Sequence, residues 1–182
     1  MIGKWKYSLF LILALMFSFS TASFASDSVS VVSEEMIQSA DTKVTLGNGI
    51  GYIGFLSEEP VFTVSGYSTT HDQYEGYFYI ESSGEVLGRH KVTVYFDYDG
   101  TLVKVKKNNN EYVGTSTWEV KSGYRVDTTD KDSGSVSPTY AYGTATFKLY
   151  KTGFFGSDFQ NSVTIHIYCN QKGKTTVERN YN

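Results

Sequence analysis

Cysteine is almost missing from this chain: Cys169 is the only one in 182 residues. A lone thiol excludes an intramolecular disulfide, so stability must come from packing. Basic clusters are missing as well. Sixteen Lys and Arg stand against 19 Asp and Glu, for a formal net charge of −3. A mildly acidic chain without a basic patch is a poor partner for nucleic acid or an anionic membrane. Beyond the first residues no apolar run approaches the ~20 residues that a membrane-spanning helix needs. A sustained 3.6-residue hydrophobic period, the mark of amphipathic helices, is also lacking.

What is present starts with the layout of a signal peptide. Lys4 and Lys6 precede a mostly apolar run, Ser8 to Phe19, and Ser23-Phe24-Ala25 offers small residues at a cleavage site. Cleavage is expected after Ala25, which removes two lysines and makes the mature chain more acidic. The expectation is a secreted, extracellular protein without a lipid or wall anchor and without stable membrane insertion after cleavage. Its lack of disulfides points to a Gram-positive exporter. Residues 26–42 are expected as a leader that is flexible by default, although Glu34 to Ala40 could form a helical turn. Residues 43–182 are long enough for one domain that buries about two-thirds of its unfolded surface.

That domain reads as short strands. Tyr77 to Glu81, His90 to Lys107, Tyr112 to Val120, Tyr140 to Tyr150 and Ser162 to Cys169 all alternate with period two. Ala141, Gly143, Ala145, Phe147 and Leu149 share the inward side of one strand, as do Val163, Ile165, Ile167 and Cys169 of another. Ser68 to Asp72 and Thr128 to Pro138 read as polar loops. Eight to ten strands at this spacing predict an all-β fold, a single antiparallel β-sandwich of immunoglobulin-like architecture.

Four motifs could carry chemistry. Asp97-Tyr98-Asp99-Gly100-Thr101 after an apolar strand resembles the first motif of the haloacid dehalogenase superfamily. That resemblance implies Asp97 as nucleophile, Asp99 as acid/base and a magnesium ion between them. The family needs a helix and an α/β domain after the motif, whereas Leu102 to Lys107 alternates as another strand. Asp-Gly between two alternating runs is therefore read as a hairpin turn. Gly49-Ile50-Gly51-Tyr52-Ile53-Gly54 fits a dinucleotide-binding pattern but lacks the helix that would hold a pyrophosphate, so its glycines are read as turn and bulge positions. Asp127, Asp130 and Asp132 place three carboxylates close together, a weak calcium candidate without EF-hand spacing. His71, His90 and His166 share no element at ligand spacing. No cofactor, metal site or catalytic residue is expected.

Tyrosine is the feature in excess, with 15 in the chain beside 12 Phe. Tyr77, Tyr79, Tyr140, Tyr142 and Tyr168 lie opposite the apolar side of their strands. A tyrosine joins a large ring to a wettable hydroxyl, which suits a half-exposed sheet face. These five are the candidate ligand-binding residues, for stacking an extracellular glycan or protein. Tyr142 to Tyr150, Val163 to Cys169 and Asn170-Gln171-Lys172-Gly173 together resemble the C-terminal half of small exported β-rich proteins of Gram-positive bacteria, a resemblance that carries no assigned function and no site residues. The expected function is non-enzymatic extracellular binding. An exported hydrolase with a site assembled from loops is the alternative.

Overall fold

The computed structural model describes residues 30–58, 62–64 and 67–182. The expected signal peptide lies outside the described residues. A short helix, α1 (Glu34–Ser39), is capped by Ser33, whose side chain accepts from the Met36 amide. Among the described residues eleven strands follow: β1 (Thr42–Gly47), β2 (Ile50–Glu58), β3 (Phe62–Val64), β4 (Tyr67–Ile80), β5 (Val86–Tyr98), β6 (Val103–Lys106), β7 (Val113–Trp118), β8 (Tyr124–Ser137), β9 (Tyr140–Gly153), β10 (Gly156–Asn170) and β11 (Thr175–Tyr181).

They form two antiparallel sheets. The first runs β1-β2-β4-β5, with β3 beside β4 and with β6 and β7 sharing the far edge of β5. The second is a four-strand meander, β11-β10-β9-β8. One apolar cluster joins the two. Tyr52, Tyr74, Phe78, Val92, Val94 and Phe96 from the first sheet meet Ala145, Phe147, Leu149, Val163, Ile165 and Ile167 from the second. The parity read in β9 and β10 is the parity found: every inward residue named there lies in the buried face, Cys169 included. Burial of such a side chain contributes about 1.5–3 kcal/mol each before entropy is counted.

The hairpin over Asp99-Gly100 is also present. Tyr98 pairs with Val103, leaving a four-residue turn in which Gly100 takes φ +91°. Asp99 Oδ1 accepts from the Thr101 amide at 2.8 Å, the Thr101 hydroxyl at 2.7 Å and the Leu102 amide at 2.7 Å. Those bonds hold its carboxyl below the ordinary range, the Thr101 hydroxyl first. The turn is tied to the second sheet by Gly100 N–H donating to Gln171 C=O and Val103 N–H to Pro138 C=O, both at 3.0 Å.

Three expectations need correction. Ser68 to Asp72 is no loop but the start of β4, paired with β5 from Ser68 to Asp72 against Tyr98 to Val94. Thr128 to Ser137 is likewise strand, the edge strand β8, with bulges at Thr129/Asp132 and Ser135/Ser137. Its polar sequence suits an edge, where charge and bulges discourage pairing with another chain. Residues 30–40, taken by default as flexible, are docked instead. Val31 bridges to Glu85, and Val32, Met36 and Ala40 pack against Ile53, Tyr77, Tyr79 and Val86 on the outer side of the first sheet.

Candidate tyrosine platform

The outer face of the second sheet is built by register. Tyr142 in β9 lies between Gly134 of β8 and Tyr168 of β10, and Tyr168 lies beside Thr176 of β11. One row over, Asp132, Thr144, His166 and Glu178 stand across the four strands in the same way. The Tyr168 ring centroid is 5.9 Å from that of Tyr140, 6.3 Å from that of Tyr142 and 6.1 Å from His166, which it stacks at 17°. Gly134 leaves the Tyr142 ring uncovered, since a Cβ there would sit 3.2 Å from it.

Acidic and hydroxyl groups frame the rings. The Tyr142 hydroxyl donates to Asp132 Oδ2 at 2.7 Å. That bond is the main reason its phenol titrates above the ordinary value. Burial raises the Tyr168 phenol, with the Glu178 charge adding to it. Both hydroxyls thus remain protonated donors at neutral pH. Thr146 and Thr164 share a hydrogen bond at 2.8 Å, and Asn180 faces His166 at 3.4 Å. The result is a strip of three phenols, tilted to one another by 36° and 46°, and an imidazole, bordered by two carboxylates.

The five tyrosines do not form one site. Tyr140, Tyr142 and Tyr168 are brought together, with Tyr140 exposed and the other two half-buried. Tyr77 and Tyr79 point away from the main core, as their parity implies, yet they are 7% and 4% exposed because the segment from Val32 to Ala40 covers them. They belong to a second apolar cluster and offer no ligand a surface. Period two places a side chain on a face but does not say what covers that face.

The remaining motifs are absorbed by structure. Asp97 accepts from the Thr69 hydroxyl at 2.6 Å and pairs with Lys106 at 3.2 Å, while Asp99 serves its own turn. Strand β6 follows where a phosphotransfer fold would place a helix. Asp127 pairs with Arg125 and Asp130 with Lys148, and Asp132 holds Tyr142, so the three carboxylates do not converge. Among the described residues no group of three His, Cys, Asp or Glu is placed to hold a metal ion. Burial pushes the Cys169 thiol up to about 12, with the Asp72 charge adding to it, and so keeps it protonated.

No known family matches. Neither a protein-family model nor a curated protein nor a solved structure was found to be similar to the chain.

One feature was not legible beforehand. An open polar cleft of about 330 Å³ lies on the outer face of the first sheet, floored by Gln73, Lys91, Thr93 and Tyr95 and walled by Asn108, Asn109 and Tyr112. Alternation marks the floor residues as outward. The wall arises from the turn at Asn109 and Asn110, both at positive φ, whose direction no periodicity encodes.

Proposed function

We propose that this chain is an exported, non-enzymatic protein that binds an extracellular glycan on the Tyr140–Tyr142–Tyr168 strip. The observation that carries the reading is the row of rings at 5.9 and 6.3 Å on an open sheet face, with Asp132 and Glu178 at its borders. Sugar rings present C–H faces that stack on aromatic rings, and their equatorial hydroxyls seek acceptors at the rim. A row of rings on an open sheet face suits an extended chain of sugars better than a single small molecule, which prefers a concave site.

Export is supported by the charged, apolar and small-residue succession over residues 1–25, and a Gram-positive source by the single cysteine. An immunoglobulin-like comparison finds support in two facing antiparallel sheets. It finds little in the connections, because the second sheet is a plain meander and the non-consecutive neighbours of the first, β2–β4 and β5–β7, skip only one short strand each, where that fold uses Greek keys.

The test is retention of the purified chain on insoluble cell-wall polysaccharide and in affinity electrophoresis with neutral soluble glycans. Tyr142→Ala and Tyr168→Ala should each weaken retention about tenfold, equivalent to about 1.4 kcal/mol, with thermal midpoints nearly unchanged. Retention equal to wild type in both variants, or no retention of the wild type on any glycan, refutes the reading.

A further inference from the structure

The two most exposed large apolar side chains among the described residues sit side by side. Phe154 and Phe155, at the tip of the β9–β10 hairpin, are 97% and 99% exposed and contact each other edge to face at 5.1 Å. Glycines bound them, Gly153 pairing with Gly156, which takes φ +145°. The hairpin runs past β11, which pairs with β10 only from Val163. On the other side β8 flanks β9 as far as Lys151 and the Gly123 carbonyl accepts from the Thr152 amide, so the Gly153–Gly156 tip is the part that lies beyond the paired strands. Residues 151 to 159 are exposed on both faces, whereas Asn161, Ser162 and Val163 are all buried and β10 alternates from there on. Leaving two phenyl rings wholly in water at a projecting point is unfavourable and serves no packing purpose in the chain itself.

Chemistry is layered along this hairpin. Below the rings come Thr152 opposite Ser157, then Lys151 opposite Asp158, then Tyr150 opposite Phe159. Tyr150 and Phe159 meet edge to face at 5.8 Å, and Arg125 lies 4.8 Å over the Tyr150 ring. At a strand rise of ~3.3 Å per residue, this aromatic and cationic belt lies roughly 10 Å behind the glycine pair. An apolar point, a short charge-balanced neck and a Tyr/Arg belt match the passage from acyl chains through the polar boundary to the headgroup level, where Tyr and Arg anchors sit.

We propose that the Gly153–Gly156 tip is a membrane-docking wedge, which places Phe154 and Phe155 among the acyl chains of a lipid bilayer and holds the chain reversibly at its surface. The convex form of the tip favours a deformable lipid surface over a flat protein face. Lys151 and Asp158 stand opposite each other, so the neck is near neutral and the rings, not charge, supply the attraction. Two side chains give a weak, reversible anchor that does not span the bilayer. Tyr142 lies eleven residues back along β9, roughly 35 Å from the tip at the strand rise. A docked molecule therefore keeps its tyrosine strip well clear of the lipid.

Co-sedimentation of the signal-free chain with vesicles of phosphatidylcholine, and of phosphatidylcholine mixed with phosphatidylglycerol, tests the proposal. Binding to phosphatidylcholine is expected, with no gain from phosphatidylglycerol because the chain is net acidic. The double variant Phe154→Ser/Phe155→Ser should bind at least tenfold less at an unchanged melting temperature, since neither ring packs against the core. In a Phe155→Trp variant, tryptophan emission should shift to the blue with vesicles and be quenched by brominated acyl chains. A wild-type chain that stays in the supernatant with both vesicles overturns the proposal, as does vesicle binding that the double variant retains. Self-association of the wild type, abolished in the double variant and unaccompanied by vesicle binding, overturns it in favour of a second copy as the tip's partner. Retention of glycan by the double variant is expected throughout, so failure of the wedge and failure of the tyrosine strip are separate results.

Discussion

His90 places an ionisable ring among aromatic rings between the two sheets. It is fully buried, stacks on Phe147 at 3.9 Å from across the two sheets, and contacts Tyr52 and Phe78 at 5.6 and 5.5 Å. Neither ring nitrogen has a hydrogen-bond partner in the protein, and burial lowers its pKa to about 3. The unfolded chain takes up this proton near pH 6.5 and the folded chain does not. Above that pH the group adds no pH dependence. Below it, stability falls by up to about 1.4 kcal/mol per pH unit until the folded pKa is reached. In His90→Leu the decline in urea midpoint between pH 7 and pH 4.5 should be shallower than in wild type. Equal slopes in the two proteins would show that the imidazole is not held neutral. At this scale the sequence was readable for Cys169, whose parity with Val163, Ile165 and Ile167 marks it as buried. It was not readable for His90. The parity of that strand does align His90 with Val92 and Val94, but the ring opposite it comes from Phe147, 57 positions further on.

Elements in the first sheet are joined through glycines that tyrosines cover. Tyr52 lies over Gly76 and Tyr74 over Gly54, so that a Cβ at Gly76 would fall 2.0 Å from the Tyr52 hydroxyl and 2.7 Å from His90 Cε1. Both neighbours are buried between the sheets and cannot swing aside. Gly76→Ala should therefore reduce unfolding free energy by about 1–3 kcal/mol, the range for overpacked cores. Gly114→Ala in β7, whose nearest foreign atom is at 3.6 Å, is the matched control and should change little. Urea titration of both variants checks the difference. The same arrangement explains the glycines of the Gly49–Gly54 stretch without a phosphate: Gly49 turns at φ +71°, and Gly51 and Gly54 make room for the rings of Tyr79 and Tyr74. Strands β5, β9 and β10 were legible because one face of each carries a regular apolar run: Val92, Val94 and Phe96; Ala145, Phe147 and Leu149; Val163, Ile165, Ile167 and Cys169. The start of β4 and the part of β8 from Thr128 to Ser137 were not. Thr70 and Asp72 are buried polar residues held by pairing with β5, and β8 is a polar edge, so neither displays the alternation that reveals a strand.

The molecule as a whole closes its first sheet with a segment that resembles a tail in sequence. Ser33 caps α1, Asp41 accepts from the Leu56 amide, and Val32 and Met36 cover Tyr77 and Tyr79. A chain beginning at Asp41 should lose about 2–4 kcal/mol of stability, from the burial of Val32 and part of Met36. It should also bind a hydrophobic dye at the uncovered Ile53–Tyr77–Tyr79–Val86 surface. An unchanged melting temperature would show that the segment is not docked. By itself the sequence determined the all-β class, the central hairpin and the inward faces of β9 and β10, because a period of two and an Asp-Gly turn are local properties of the backbone. Only tertiary structure decided which tyrosines meet water, which polar runs are strands, and how far the Phe154–Phe155 tip projects. Exposure depends on what other segments cover, and that is fixed by contacts between residues far apart in the chain.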